Sequence, residues 1–387
     1  MDTIKDKVAI VGIGETRYYK RGTAPLPEFR LACEAIIKSA EDAGIAVTDI
    51  DGFASYSNDR NDASRLATAL GLPHLAFSNM VWGGGGGGGS GAVANAAAAV
   101  AAGYAKYVVV FRALAQGQFG RFGQAAPMKH ISGDFAYTMP YGLMSPAQMF
   151  AMRVRRFMHE HQVEQDALAA VALAAYHHAQ SNPRAVMYGR PLTREAYDES
   201  RWIVEPFHLY DCCLENDGAA AVIVTSVERA RDLKQKPAYL MAAAQGSDYR
   251  QNAGAHNAPD YATSNFKTLA PRLYEMAGIT PKDVDVVQAY ENFTGGVVMS
   301  LVEHGFCDAD QVNDFCTLEN FLAPTGKLPL NTSGGNLAEC YMHGLELVIE
   351  AVRQVRGTST SQVKDADISM VVSGPMVTPV SDLILHG

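Results

Sequence analysis

No Cys-x-x-Cys pair occurs among the six cysteines (Cys33, Cys212, Cys213, Cys307, Cys316 and Cys340), and their spacing suggests no disulfide framework. They read as reduced thiols, as in a cytoplasmic protein. Adjacent Cys212 and Cys213 lack the spacing of a metal pair, so no metal is expected. Cation-rich runs are missing too. Lys and Arg number 32 against 41 Asp and Glu, a net charge of −9. A nucleic-acid surface needs clustered cations to neutralise phosphate, so that class is excluded. Long apolar runs are also absent. The run behind the mixed-sign N-terminus reaches only from Val8 to Ile13, too short for a signal peptide. The longest uncharged stretch, Val81 to Ala105, is Gly and Ala with Ser90 and Asn95 inside it, without the Leu, Ile and Phe of a membrane span.

What is present is a chain of 387 residues, 48% hydrophobic, long enough for two domains or two fused halves. Val8 to Gly14 reads as a buried strand, and Leu26 to Ala43 as a helix stopped by Gly44. Asp49 to Ser55 suggests a second strand, Ala92 to Ala102 an Ala-rich helix, and Tyr107 to Phe111 a fully buried strand. Alternation of strand and helix predicts an α/β layered fold with a mostly parallel sheet. The order then recurs. Tyr239 to Gly246, the helix Phe266 to Ala277 with Gly278, the helical run from Gly334-Gly335 to Val355, and the strand Ile368 to Ser373 repeat the first set in sequence. A duplicated αβ unit follows, with halves at 1–235 and 236–387. An insertion at about 115–201 carries helices over Ala147 to Glu160 and Val163 to Gln180, and is expected to cover one sheet end and shape a pocket. Its Arg153, Arg155 and Arg156 read as a solvated helix face.

Gly83 to Gly89 are seven consecutive glycines. Such a run lets backbone approach a ligand, and a helix start supplies unpaired N–H groups, so it either builds an anion site or is a crossover without chemistry. It lacks the Gly-Lys-Ser/Thr ending of a phosphate loop and the ribose-binding carboxylate of a dinucleotide fold.

Across nearly the whole length the chain resembles the thiolase superfamily, in the branch similar to the thiolase domain of sterol carrier protein x. The resemblance rests on Val8 to Gly14, Asn182-Pro-Arg-Ala, Pro191-Leu-Thr-Arg-Glu, Asp211 to Ala221, Tyr290-Glu-Asn-Phe293 and Asn331-Thr-Ser-Gly-Gly335. It implies a duplicated αβαβα layered fold with a helical loop domain in the first half. The chemistry departs from that pattern. The thiolase nucleophile falls at about Gly88, the catalytic histidine becomes Tyr341, the asparagine of Asn-Glu-Ala-Phe becomes Tyr290, and the second cysteine falls at about Val371. Claisen chemistry needs a thiolate and a base, and both are missing. Cys340 stands at the glycine of Gly-His-Pro and reads as a packed small residue.

Steroid side-chain aldolases of the same superfamily also have a glycine-rich stretch and tyrosines at these places. The resemblance therefore implies a lyase of steroid or bile-acid degradation that cleaves the Cα–Cβ bond of a β-hydroxyacyl-CoA by a retro-aldol reaction. The products would be a ketone or aldehyde and acetyl- or propionyl-CoA, without an acyl-enzyme. Tyr341 is the expected base on the hydroxyl and Tyr290 the group returning a proton, or the reverse, with His343 assisting. Tyr341 is expected at a helix start, where the dipole would favour a phenolate. Gly88, Gly89, Ser90, Gly334 and Gly335 are the candidates for an oxyanion pocket. The implied assembly is a homodimer, joined by a small zinc-ribbon and OB-fold subunit into an α2β2 heterotetramer. No bound cofactor is expected; acyl-CoA is substrate. A non-catalytic acyl-CoA or lipid-binding subunit and an atypical thiolase or acyltransferase stand as alternatives.

Overall fold

The computed structural model describes residues 4–119, 130–251 and 258–387; positions 120–129 of the insertion and the first residues of the N-terminus lie outside them. In the first half run strands β1 (Val8–Glu15), β2 (Gly52–Tyr56), β3 (Phe77–Val81), β4 (Val108–Ala115) and β5 (Asn216–Ser226). The second half holds β6 (Ala238–Gly246), β7 (Val286–Ala289), β8 (Ile368–Ser373) and β9 (Val380–His386). The sheet order is β7-β8-β9-β6-β1-β5-β4-β2-β3, with the short strand Tyr19–Lys20 beside β5.

The repeat seen in the sequence is a repeat of pairing. β1 meets β5 antiparallel, β5 meets β4 antiparallel, and β4 meets β2 parallel. Likewise β6 meets β9 antiparallel, β9 meets β8 antiparallel, and β8 meets β7 parallel. A parallel bridge from Val287 to Leu330 stands where β3 stood beside β2. The half-sheets join through a short β1–β6 ladder, Ala9–Tyr239 and Ile10–Ala238, beside which the Asp6 N–H donates to the Leu240 carbonyl at 3.0 Å.

Helices pack both faces, which is why the strands other than the edge strand β3 are largely buried. α1 (Glu28–Ala43) covers the outer face of the first half-sheet and ends on Gly44 in the left-handed region. α2 (Gly89–Ala101) occupies the layer between the half-sheets, beginning inside the glycine run rather than at Ala92. The insertion supplies α3 (Pro146–His161), with a Ser145–Gln148 capping box, and α4 (Gln165–Ala179). Both pack against the second half's outer layer, formed by α5 (Leu269–Ala277) and α6 (Thr294–Glu303). α7 (Leu345–Arg356) lies beside α2 in the central layer. Arg153 departs from the expected solvated face. It is 2% exposed and donates to the Met376 carbonyl at 3.1 Å, while Arg155 and Arg156 remain exposed.

One ion pair ties three parts of the chain. Glu15 ends β1, Arg353 projects from α7 and pairs with it, Arg184 of the insertion lies 3.8 Å away, and the Tyr18 hydroxyl donates at 2.6 Å. Burial raises the Glu15 carboxyl, but the adjacent Arg353 guanidinium outweighs it and holds it below the usual range. Removing one partner strands a buried charge. Arg353→Met should therefore lower unfolding free energy by about 3–5 kcal/mol in urea titrations, and adding Glu15→Gln should restore part of it. An unchanged midpoint in the single variant would exclude this role.

Candidate active site

Tyr290 directly follows β7, its N–H donating to the Val372 carbonyl of β8 at 2.9 Å. Tyr341 enters from a different route. Gly335–Glu339 form one π-helical turn, Cys340 is fully extended, and α7 starts only at Leu345. The Tyr341 N–H donates to Asn216 Oδ1 at the start of β5, at 2.6 Å. These elements bring the two phenol oxygens to 2.7 Å, with either able to donate, and leave the rings 2% and 7% exposed. His343, at φ 52° just before the left-handed Gly344, sets its ring edge against Tyr341 at 5.0 Å. Tyr56 fixes this turn by donating to the His343 carbonyl at 3.0 Å.

The glycine run has a different use from the one the sequence suggested. A Cβ on Gly86 would stand 2.1 Å from Cε2 of Tyr290, and one on Gly344 2.9 Å from its Cδ2. The Tyr290 ring fills the room that the run leaves open. Gly85 and Gly86 form the cavity wall, whereas Gly88, Gly89 and Ser90 are buried behind it. The Ser90 and Gly91 N–H groups are already bound, to Ser373 Oγ at 3.3 Å and Ser381 Oγ at 2.8 Å. Gly334 and Gly335 pack on Ala179 and on the Glu291 carboxylate, away from the cavity wall. Val371, at the second cysteine's place, is a fully buried residue of β8.

The cavity is about 880 Å³. The insertion contributes Ala147, Phe150, Tyr176 and Met187, while Ile203, Leu209, Tyr210, Cys212 and Cys213 beyond its end continue the wall. Motif matching missed Tyr210, Cys212 and Cys213, because adjacent residues at a strand entry carry no chemical spacing. The thiol of Cys213 is hydrogen-bonded with Tyr341, yet burial first, then Glu215 and Glu291, push it up to about 12. Burial likewise raises Cys340 well above the ordinary thiol range. Both stay protonated near neutral pH and neither can replace a thiolate.

Burial also decides the protonation of the pair. It raises Tyr290 and Tyr341 well above the ordinary phenol range, and the dipole expected to favour a phenolate is absent because no helix begins at Tyr341. Burial, Arg112 and Arg60 lower His343 well below the usual imidazole range, so its ring is neutral. Behind the pair, Asn336 bridges two acids: its N–H donates to Glu291 at 2.9 Å and its side chain to Glu346. Burial lifts Glu291 to about 8 and Glu346 well above its ordinary value. The site is a buried set of hydrogen-bonded, proton-bearing groups, of which the two tyrosines border the cavity and the two carboxyls lie behind them. Proton transfer without a stable ion suits it; nucleophilic catalysis does not.

The family model described as thiolase C-terminal domain-like matches residues 247–385. A steroid side-chain-cleaving aldolase of Thermomonospora curvata is 40% identical over 397 aligned residues, covering 100% of this chain and 99% of that protein. A 17-hydroxy-3-oxo-4-pregnene-20-carboxyl-CoA lyase of Mycobacterium tuberculosis is 39% identical, over 99% of this chain and 100% of its own. The solved Ltp2–ChsH2(DUF35) aldolase superimposes with a TM-score of 0.93 at 38% identity, over 100% of this chain and 99% of that one. An acetyl-CoA acetyltransferase from Syntrophomonas wolfei shares the fold at a TM-score of 0.71 and 15% identity. Among the described residues no helix is long and apolar enough to cross a membrane. With full-length similarity to these proteins at 38–40% identity, the chain belongs to the thiolase superfamily, in the branch of the side-chain-cleaving aldolases, and is a carbon–carbon lyase.

Proposed function

We propose that this enzyme cleaves the Cα–Cβ bond of a β-hydroxyacyl-CoA bearing a steroid or bile-acid skeleton, giving a ketone or aldehyde and acetyl- or propionyl-CoA. The 2.7 Å bond between Tyr290 and Tyr341 carries the reading. The reaction moves one proton from the β-oxygen to Cα. Tyr341 takes the hydroxyl proton as the β-carbonyl forms and the Cα–Cβ electron pair passes to the thioester enolate. Tyr341 gives its own proton to Tyr290, and Tyr290 protonates Cα. Each phenol ends as it began. The raised phenols support such a relay, since a lasting phenolate is disfavoured in this setting. Neutral His343 borders Tyr341 and steadies the ring that receives the proton. The protonated thiols disfavour the acyltransferase alternative.

The same proposal includes the division at 235 and 236, supported by the thin β1–β6 seam. It also includes a cytoplasmic homodimer, supported by exposed Met80 on the edge strand β3 and exposed Trp82 just beyond it. A DUF35-type second subunit, completing a heterotetramer, follows from likeness to the solved Ltp2–ChsH2(DUF35) complex.

Three outcomes test the relay. Tyr341→Phe and Tyr290→Phe should each lower kcat for a 3-hydroxyacyl-CoA by about 10²–10⁴-fold, and the double variant should be little worse than either, because the two act as one unit. Near-normal turnover in both single variants would sink the assignment. Since burial holds both phenols neutral, kcat should not rise between about pH 6 and pH 9; a unit-slope rise that disappears in Tyr341→Phe would show a free phenolate base instead. Finally, Gly86→Ala should displace the Tyr290 ring and cost about 10²-fold in kcat, the scale of an ångström's misplacement, while far-ultraviolet circular dichroism remains native.

A further inference from the structure

Beyond Tyr290, Tyr341 and His343 the cavity wall carries further polar groups, among them Arg21, Gln116, Arg201, Glu215 and Asn292, and of these Gln116 has an amide left unfilled at both ends. Gln116 follows β4, whose register with β5 runs Leu114–Gly218 and Ala115–Asp217. The ladder ends there: Gln116 opens the turn closed by the Gln118 N–H on the Ala115 carbonyl at 2.8 Å, and Asn216, two residues before Gly218 on β5, shares the face of Leu114. That face is the one packed into the tyrosine-bearing core, because Val108, Val110 and Leu114 lie in it at the same alternation. Asn216 is the residue whose Oδ1 holds the Tyr341 N–H at 2.6 Å. Gln116 thus sits at the Tyr341 side, is 1% exposed, and lines the cavity with Tyr290, Tyr341 and His343. Among the described residues neither its Oε1 nor its Nε2 has a hydrogen-bond partner, and Asn216 Nδ2 has none either.

Buried amides are normally satisfied, and one left open toward a cavity is an unfilled half of a hydrogen bond. Of the neighbouring charges, Arg112 and Asp59 hold each other at 2.9 Å, and Arg21 of the cavity wall lies 3.8 Å from Glu215. Resting on the aldolase reading, we propose that Gln116 is a substrate-contacting catalytic residue whose Nε2–H donates to the β-oxygen. As the hydroxyl proton leaves toward Tyr341, negative charge gathers on that oxygen, and a fixed amide donor stabilises it before the carbonyl is complete. The site therefore selects substrates with an oxygen on Cβ and does not respond to the acyl chain alone.

Two ligands with one carbon skeleton test this: a 3-hydroxyacyl-CoA and its 3-deoxy analogue, used with the full-length enzyme and its second subunit. Gln116→Met and Gln116→Glu should each lower kcat/KM for the hydroxylated substrate by about 10²-fold, the cost of one oxyanion donor, and leave the inhibition constant of the 3-deoxy analogue unchanged. Retained binding of the analogue also shows that the variants fold. Near-normal cleavage in both variants, or equal loss of analogue binding, overturns the proposal. Should the unaltered enzyme cleave nothing, the aldolase reading fails separately. Calorimetric affinities for the two ligands then decide: a hydroxyl preference abolished in Gln116→Met supports the contact, and an unchanged preference overturns it.

Discussion

The site depends on one close approach, the Tyr290 ring laid against Gly86 and Gly344. Any side chain at position 86 would occupy the ring's own volume, since its Cβ would fall 2.1 Å from Cε2. The glycine run is the steric condition for having a phenol at the end of β7. It is also well packed. Gly83, Gly84 and Gly85 take left-handed angles of 74°, 72° and 49°, which glycine adopts without strain. A Cβ on Gly87 would meet the Pro379 carbonyl at 2.0 Å, and Ser373 and Ser381 bind the first N–H groups of α2. Tight packing offsets the chain entropy that seven glycines would otherwise cost.

That packing sets the electrostatics. Ring, cavity wall and carboxyls share one dry interior, where an unpaired charge is expensive. The chain answers in two ways. Beside Arg353 the Glu15 carboxyl is held below its usual range, whereas burial raises Asp59 even though Arg112 pairs with it. Burial above all also lifts Glu291 to about 8, and Glu339 to about 7 although Arg184 lies 3.9 Å away. The tyrosines belong to the second group. A catalyst built there has to move protons along hydrogen bonds, and the retro-aldol reaction asks for a transfer from oxygen to carbon with no net change in charge.

The duplication was legible because it is written in repeated strand–glycine–helix order, and each paired segment became a paired element. Element ends were less so. Helical spacing runs on from Gly335 to Val355, but Cys340 is extended and α7 waits for Leu345. Packing of Glu291 under Gly335 and the Asn216 bond to Tyr341 break that run, and neither contact has a local signature. The two tyrosines could be found because they occupy motif positions. Tyr210, Cys213 and Gln116 could not, since they reach the cavity through strand register and the fold of the insertion. The oxyanion candidates were drawn from glycines on the assumption of open N–H groups, and hydroxyls on neighbouring strands had already taken those beginning α2.

Chemistry and selectivity thus have separate sources in this chain. The proposed proton-carrying pair comes from the second half of the duplicated core, held by β7, β8 and the start of β5. Most of the apolar wall comes from the insertion and the segment after it, including Phe150, Met187, Ile203 and Leu209. Substitutions there can alter the shape offered to a fused-ring skeleton without touching the hydrogen bonds that set the phenols. The reverse does not hold. Tyr341 is held by Asn216 of the first half, so the first half must close correctly on the second before the proposed relay and the proposed oxygen-binding amide can share one substrate. Duplication supplied two half-sheets of one design, and the tyrosine pair lies where their strand ends meet.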